Sequence, residues 1–116
     1  MKALVVEAGK TPEERELSGS LASLQELVGG LIQVIYPFDD AVALLCNDEG
    51  KLLGMEGNRR LDTGSIIAGP FFVIGDAGEN FRSLTDEEVN RYLQKYAEPE
   101  IIPQHEVQQD MGWIFY

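Results

Sequence analysis

Few residues in this chain could do chemistry, and their spacing decides what that chemistry would be. Asn58-Arg59-Arg60 holds the only adjacent basic pair and follows Gly54 and Gly57. An arginine forks onto a carboxylate or phosphate, and an asparagine both donates and accepts. The triplet is therefore the candidate ligand-binding site, suited to an anionic small molecule such as a nucleotide. Its ordinary alternative is pairing with the protein's own acids. His105 is the only histidine and Cys46 the only cysteine. Together they fall short of the four ligands of a structural zinc site. Cys46 follows Val42-Ala43-Leu44-Leu45 with no basic residue beside it, which reads as a buried small hydrophobe rather than a reactive thiol. No motif supports a Ser-His or Cys-His pair at His105. Asp39-Asp40 could be read as an acid and a base, but aspartates after Pro37 have turn chemistry. Gly64, Gly69, Gly75 and Gly78 are followed by no GK[ST] and form no G-x-G-x-x-G, so turns and a bulge account for them. The acidic turns lack the alternating ligands and closing glutamate of a calcium loop. The sequence thus predicts no catalytic residue, no metal and no cofactor, and an enzyme is not expected.

Charge bounds the partners. The 116 residues carry 9 Lys and Arg against 20 Asp and Glu, a net charge of −11. Phosphate contacts need clustered cations, so direct nucleic-acid binding is not expected. The acids come in spread pairs, among them Glu13-Glu14, Asp39-Asp40 and Asp48-Glu49. Such spreading suits a solvated surface, with imitation of DNA charge as the sharper alternative. The length fits one domain spanning 1–116. The apolar run at Ala3-Leu4-Val5-Val6 ends at Glu7, too short for a signal peptide. The longest apolar stretch, Ile66 to Ile74, is broken by Gly69-Pro70. Neither suits a membrane span, and a cytoplasmic location is expected.

The elements that must position these residues follow from periodicity. Lys2 to Glu7 reads as a first strand, and Gly9 to Gly19 as a loop or short helical turn. Leu21, Leu24, Leu27 and Val28 share one helical face, after Ser20 or Ser23 as cap and before Gly29-Gly30 as stop. Leu31 to Tyr36 and Ala41 to Cys46 read as strands, the second central because it is continuously apolar. Lys51 to Met55 would return from the Asn47–Gly50 turn as a hairpin arm, and Glu56 to Gly64 would be a polar loop. Ser65 to Ile74 should split into two short strands at Gly69-Pro70. Thr85 and Glu88 form a capping box, with Leu84 and Val89 at the staple positions, so the spacing predicts a helix from Thr85 to Tyr96. Ala97 to Gln109, with Pro99 and Pro103, looks extended. The apolar end Gly112 to Tyr116 suits a last strand. Alternatively Trp113, Phe115 and Tyr116 would anchor a partner protein or a second copy of the chain.

The middle of the chain resembles an uncharacterised family, domain of unknown function 3846, of small proteins in phages, mobile elements and the bacteria that carry them. The residues that carry the resemblance run from about 20 to 96. They are Leu24 to Gly30, Ile32 to Ile35, Leu45 to Lys51, Gly54, Gly57-Asn58-Arg59, Ile66 to Gly75 and Phe81 to Tyr96. The stretch 97–116, a proline-containing tail with an aromatic end, falls outside it. The resemblance implies a setting of phage–host conflict, because such domains occur alone or beside anti-restriction domains. It implies no activity and no catalytic residue.

The expected fold is α+β: a mostly antiparallel sheet of five or six strands with two helices, Ser20–Val28 and Thr85–Tyr96, packed on one face. The expected function is non-enzymatic binding of a host protein, an anti-defence role included, through the acidic surface or the aromatic end. The alternative is a small-molecule module using Asn58, Arg59 and Arg60.

Overall fold

The computed structural model describes residues 1–110. Trp113, Phe115 and Tyr116 lie outside the described residues. Eight strands and three helices are present among those residues. They are β1 (Lys2–Val6), β2 (Glu13–Glu16), α1 (Leu21–Val28), β3 (Ile32–Ile35), β4 (Val42–Asn47), β5 (Gly57–Arg60), β6 (Ile66–Ala68), β7 (Phe71–Asp76), β8 (Phe81–Arg82), α2 (Asp86–Lys95) and α3 (Gln104–Asp110). Six strands form one antiparallel sheet in the order β2-β1-β7-β4-β3, with β8 paired to the far end of β7. β5 and β6 form a second, two-stranded sheet. The class is α+β with a mainly antiparallel sheet, as the pattern of elements predicts.

The helices are placed differently from expectation: they lie on opposite faces of the large sheet. Successive side chains of a strand point to opposite faces. Leu4, Val6, Leu44 and Val73 join Val89, Tyr92 and Tyr96 of the α2 region in one core. Ala3, Val5, Leu45 and Phe72 join Leu24 and Val28 of α1 in another. β1, β4 and β7 are apolar at nearly every position because both of their faces are covered. The helical stripes say that each helix buries a face; they do not say against which side.

The local signals behind the two long helices hold. Ser20, not Ser23, is the N-cap of α1, and Gly29 closes it in the left-handed region with its N–H on Gln25 O and Glu26 O. Thr85 caps α2 with both bonds of the capping box formed. Four other stretches differ. Gly9–Gly19 contains β2, whose Glu13 to Glu16 pair with Val5 to Lys2 of β1. Lys51–Met55 is a series of turns rather than a hairpin arm. The predicted polar loop Glu56–Gly64 contains β5. The predicted extended tail contains α3, and Pro103 opens it: its carbonyl accepts from Glu106 and Val107. The split at Gly69-Pro70 occurs, but it separates β6 and β7 into different sheets. Among the described residues, no helix is long and apolar enough to cross a membrane.

Candidate functional site

β5 carries the predicted ligand-binding triplet. Asn58 and Arg59 are buried, at 0% and 1% exposure, and only Arg60 faces solvent. Asn58 Nδ2 donates to Val6 O and Gly69 O, each at 2.9 Å, tying β5 to β1 and to the β6–β7 crossing. The Arg59 guanidinium meets oxygens of its own chain. Nε and Nη2 donate to Tyr96 O at 3.3 and 2.9 Å, and Nη2 also to Lys10 O at 2.6 Å. Nη1 donates to Asn58 O and Oδ1 at 3.1 and 2.8 Å. Every N–H that a guanidinium owns has an acceptor. Tyr96 closes α2, so its carbonyl is one of those a helix leaves unmatched at its negative end. Burial pushes the Arg59 pKa down, with the Glu100 carboxylate opposing, and the group stays cationic. Arg60 is held by Glu100 Oε1 at 3.2 Å and Glu106 Oε2 at 2.7 Å. The triplet is therefore turned to partners within the chain. Asn58 and Arg59 form an internal clamp joining β1, β5 and α2, and Arg60 fastens α3 and the segment before it.

The fold opens a cleft elsewhere, of about 400 Å³, between the β3–β4 side of the large sheet and the small sheet. Gln33, Ile35 and Cys46 contribute from the large sheet, Ile66 from the small one, and Leu52 from the intervening turns. Lys51 and Asp110, an ion pair, also line it. Asp110 further accepts from the Ile66 N–H at 2.8 Å and from Ser65 Oγ at 3.3 Å. Burial works against its ionisation, yet Lys51 and these donors hold its carboxyl below the usual range. Burial pushes the Cys46 thiol up to about 11, against the pull of Lys51. The thiol is thus protonated at neutral pH, and its Sγ lies 3.9 Å from Gln33 O and Oε1. His105 is exposed on α3. Among the described residues, no three His, Cys, Asp or Glu side chains are grouped to hold a metal ion. Sequence reasoning missed this cleft because it is walled by segments distant in the chain, two of them misread locally.

Charge is distributed unevenly between inside and outside. All 9 Lys and Arg residues lie in the described part of the chain, and each is engaged. Lys2 pairs with Glu14 and Asp86, Lys10 with Glu7, Arg15 with Glu13, and Lys51 with Asp110. Arg82 pairs with Glu88, Arg91 with Asp40 and Glu87, and Lys95 with Asp62. Arg60 has its two glutamates and Arg59 its carbonyls. Acids outnumber these cations, so Asp39, Asp48, Glu49, Asp76 and Glu79 are among those with no ion pair within the described residues. Asp39 and Asp76 flank the Val42–Gly75 end of the β4–β7 pair, whereas Asp48 and Glu49 follow the other end of β4.

The model of the family described as domain of unknown function, DUF3846, matches residues 1–97. The chain belongs to the DUF3846 family. No curated protein and no solved structure matches it. The match begins at the first residue, so the DUF3846 pattern takes in β1 and β2, beyond the helix-to-helix stretch on which the resemblance rests. Arg59 and its acceptor residues Lys10 and Tyr96 all fall within it. α3 and Asp110 fall outside it, so the cleft of this DUF3846 protein is completed by residues beyond the family pattern.

Proposed function

We propose that this DUF3846 protein is a non-enzymatic binding protein that docks its acidic surface on a basic face of another protein. Where a phage or mobile element carries the gene, that partner is a host protein, a defence component included. The observation that carries this reading is that every Lys and Arg is engaged within the chain, so that the side-chain charges left unmatched at neutral pH among the described residues are carboxylates. A partner bringing Lys and Arg would be steered to it and would neutralise charge that the fold does not. The small-molecule reading at Asn58, Arg59 and Arg60 has less support, because those donors are already occupied. The test is retention of host proteins on the immobilised full chain as salt rises. Screening shortens from about 10 Å at 0.1 M to about 3 Å at 1 M, so a charge-docked partner should elute across that range. The combined substitutions Asp39→Asn, Asp48→Asn and Glu49→Gln should abolish retention even at low salt. A partner held equally by that variant and at high salt would overturn the reading.

A further inference from the structure

The two edges of the large sheet are built differently. β2, at one edge, reads Glu-Glu-Arg-Glu, and such charge discourages pairing with another chain. β3, at the other edge, reads Ile-Gln-Val-Ile with no charge, and Leu31, Val34 and Tyr36 along it are 59%, 37% and 58% exposed. The ladder fixes which backbone groups point outward. Asp48 N–H bonds to Leu31 O, and the partners run from Ile32↔Asn47 to Ile35↔Leu44. Antiparallel bonding alternates, so Leu31, Gln33 and Ile35 bond to β4 while Ile32 and Val34 turn their N–H and C=O outward. Among the described residues, no strand pairs with that side.

Two further features surround this edge. Gln33 and Ile35 point to the face on which they line the cleft, together with the half-exposed Leu52. A strand added to β3 would place its alternate side chains at the cleft mouth. Asp48 and Glu49 stand beside the Leu31 end, and Asp39 follows Tyr36 at the other, next to Asp40, which Arg91 already holds. From Leu31 to Tyr36 an extended chain covers roughly 3.3 Å per residue, so Asp48 and Glu49 at one end and Asp39 at the other bracket a segment of ordinary strand length.

We propose that β3 is a docking edge for an extended segment of a partner protein, apolar at alternate positions and carrying Lys or Arg at both ends. Backbone bonds to Ile32 and Val34 supply the pairing, the cleft selects the side chains facing Gln33 and Ile35, and the bracketing carboxylates select the ends. The proposal rests on the docking reading above and names the surface and the chemistry of its partner.

The test titrates the full chain with a fluorescent synthetic peptide of alternating valine and threonine with paired lysines at each end, read by anisotropy. Saturable binding is expected. It should weaken at least tenfold when the peptide's alternate amides are N-methylated, and likewise when its lysines become glutamates. Val34→Pro should weaken it to the same degree, because proline there removes an outward N–H and leaves the β3–β4 ladder intact. If that variant does not fold, the N-methylated peptide on the unaltered protein decides. Equal affinity for the methylated peptide, or no binding of the lysine-ended one, would overturn the proposal. So would sedimentation showing that a second copy occupies the edge and leaves on Val34→Pro. Salt-sensitive retention of a host protein that Val34→Pro does not disturb would sink the edge alone and leave acidic docking standing.

Discussion

At the scale of single residues, Arg59 shows how a polar side chain can be part of a core. Its guanidinium replaces water for the Tyr96 carbonyl at the end of α2 and ties in the Lys10 carbonyl from the loop after β1. Arg59→Ala should destabilise the fold by about 3 kcal/mol or more, since it empties a buried site and leaves acceptors unmatched. Arg59→Lys should recover little, because an ammonium has three donors on one atom where the guanidinium spreads five over three nitrogens. Urea unfolding of the three proteins measures this, and a lysine variant as stable as the parent would show that charge alone suffices. The role was not legible in the sequence. Asn58-Arg59-Arg60 is polar throughout, and nothing local says that the first two of these side chains are buried. Thr85 and Glu88 were legible, because both ends of their interaction lie within one helical turn.

At the scale of elements, α2 is fixed by more than its cap. Glu88 accepts the Thr85 N–H at 2.9 Å and takes both Arg82 nitrogens, at 2.8 and 3.0 Å. The Arg82 guanidinium, with the Thr85 N–H assisting against burial, holds the Glu88 carboxyl down from 4.5 to about 2. A depressed carboxylate stabilises the fold above its unfolded value and loses that contribution as pH falls toward its folded value. Glu88→Gln should therefore cost about 1.5–3 kcal/mol at neutral pH, as charged hydrogen bonds do. The gap between parent and variant should close as pH drops from about 4.5 toward 2. Denaturation midpoints across that range measure it, and a gap independent of pH would remove the ionic pair as its cause. The elements that escaped the sequence share one cause, which is that they are made by tertiary pairing. β2 has no apolar residue, and its conformation comes from the ladder with β1. α3 buries Val107 and carries no capping box. Strands β1, β4 and β7 were readable because a run of apolar, mostly branched residues needs no distant context.

At the scale of the molecule, a sheet covered on both sides and a smaller sheet set beside it take up most of the apolar residues, and the charge left over at the surface is acidic. The apolar residues are largely committed to three cores, and every cation is committed to an ion pair or a carbonyl. The third core is the smallest, Ile66 and Ala68 of β6 against Ile102 and Val107, and it depends on close approach. A Cβ on Gly57 would stand 2.8 Å from Ile102 Cβ and 2.9 Å from Val107 Cγ2, so glycine there lets α3 settle onto β5. The family pattern ends at residue 97, before any of the side chains that seal this core. A clone trimmed to that boundary would bring Ile66 and Ala68 into water and strip Lys51 of its carboxylate. Such a fragment should partition to the insoluble fraction, or stain with a dye that reports open apolar surface, while the longer chain does neither. A soluble, dye-silent fragment would mean that the small sheet closes by some other route.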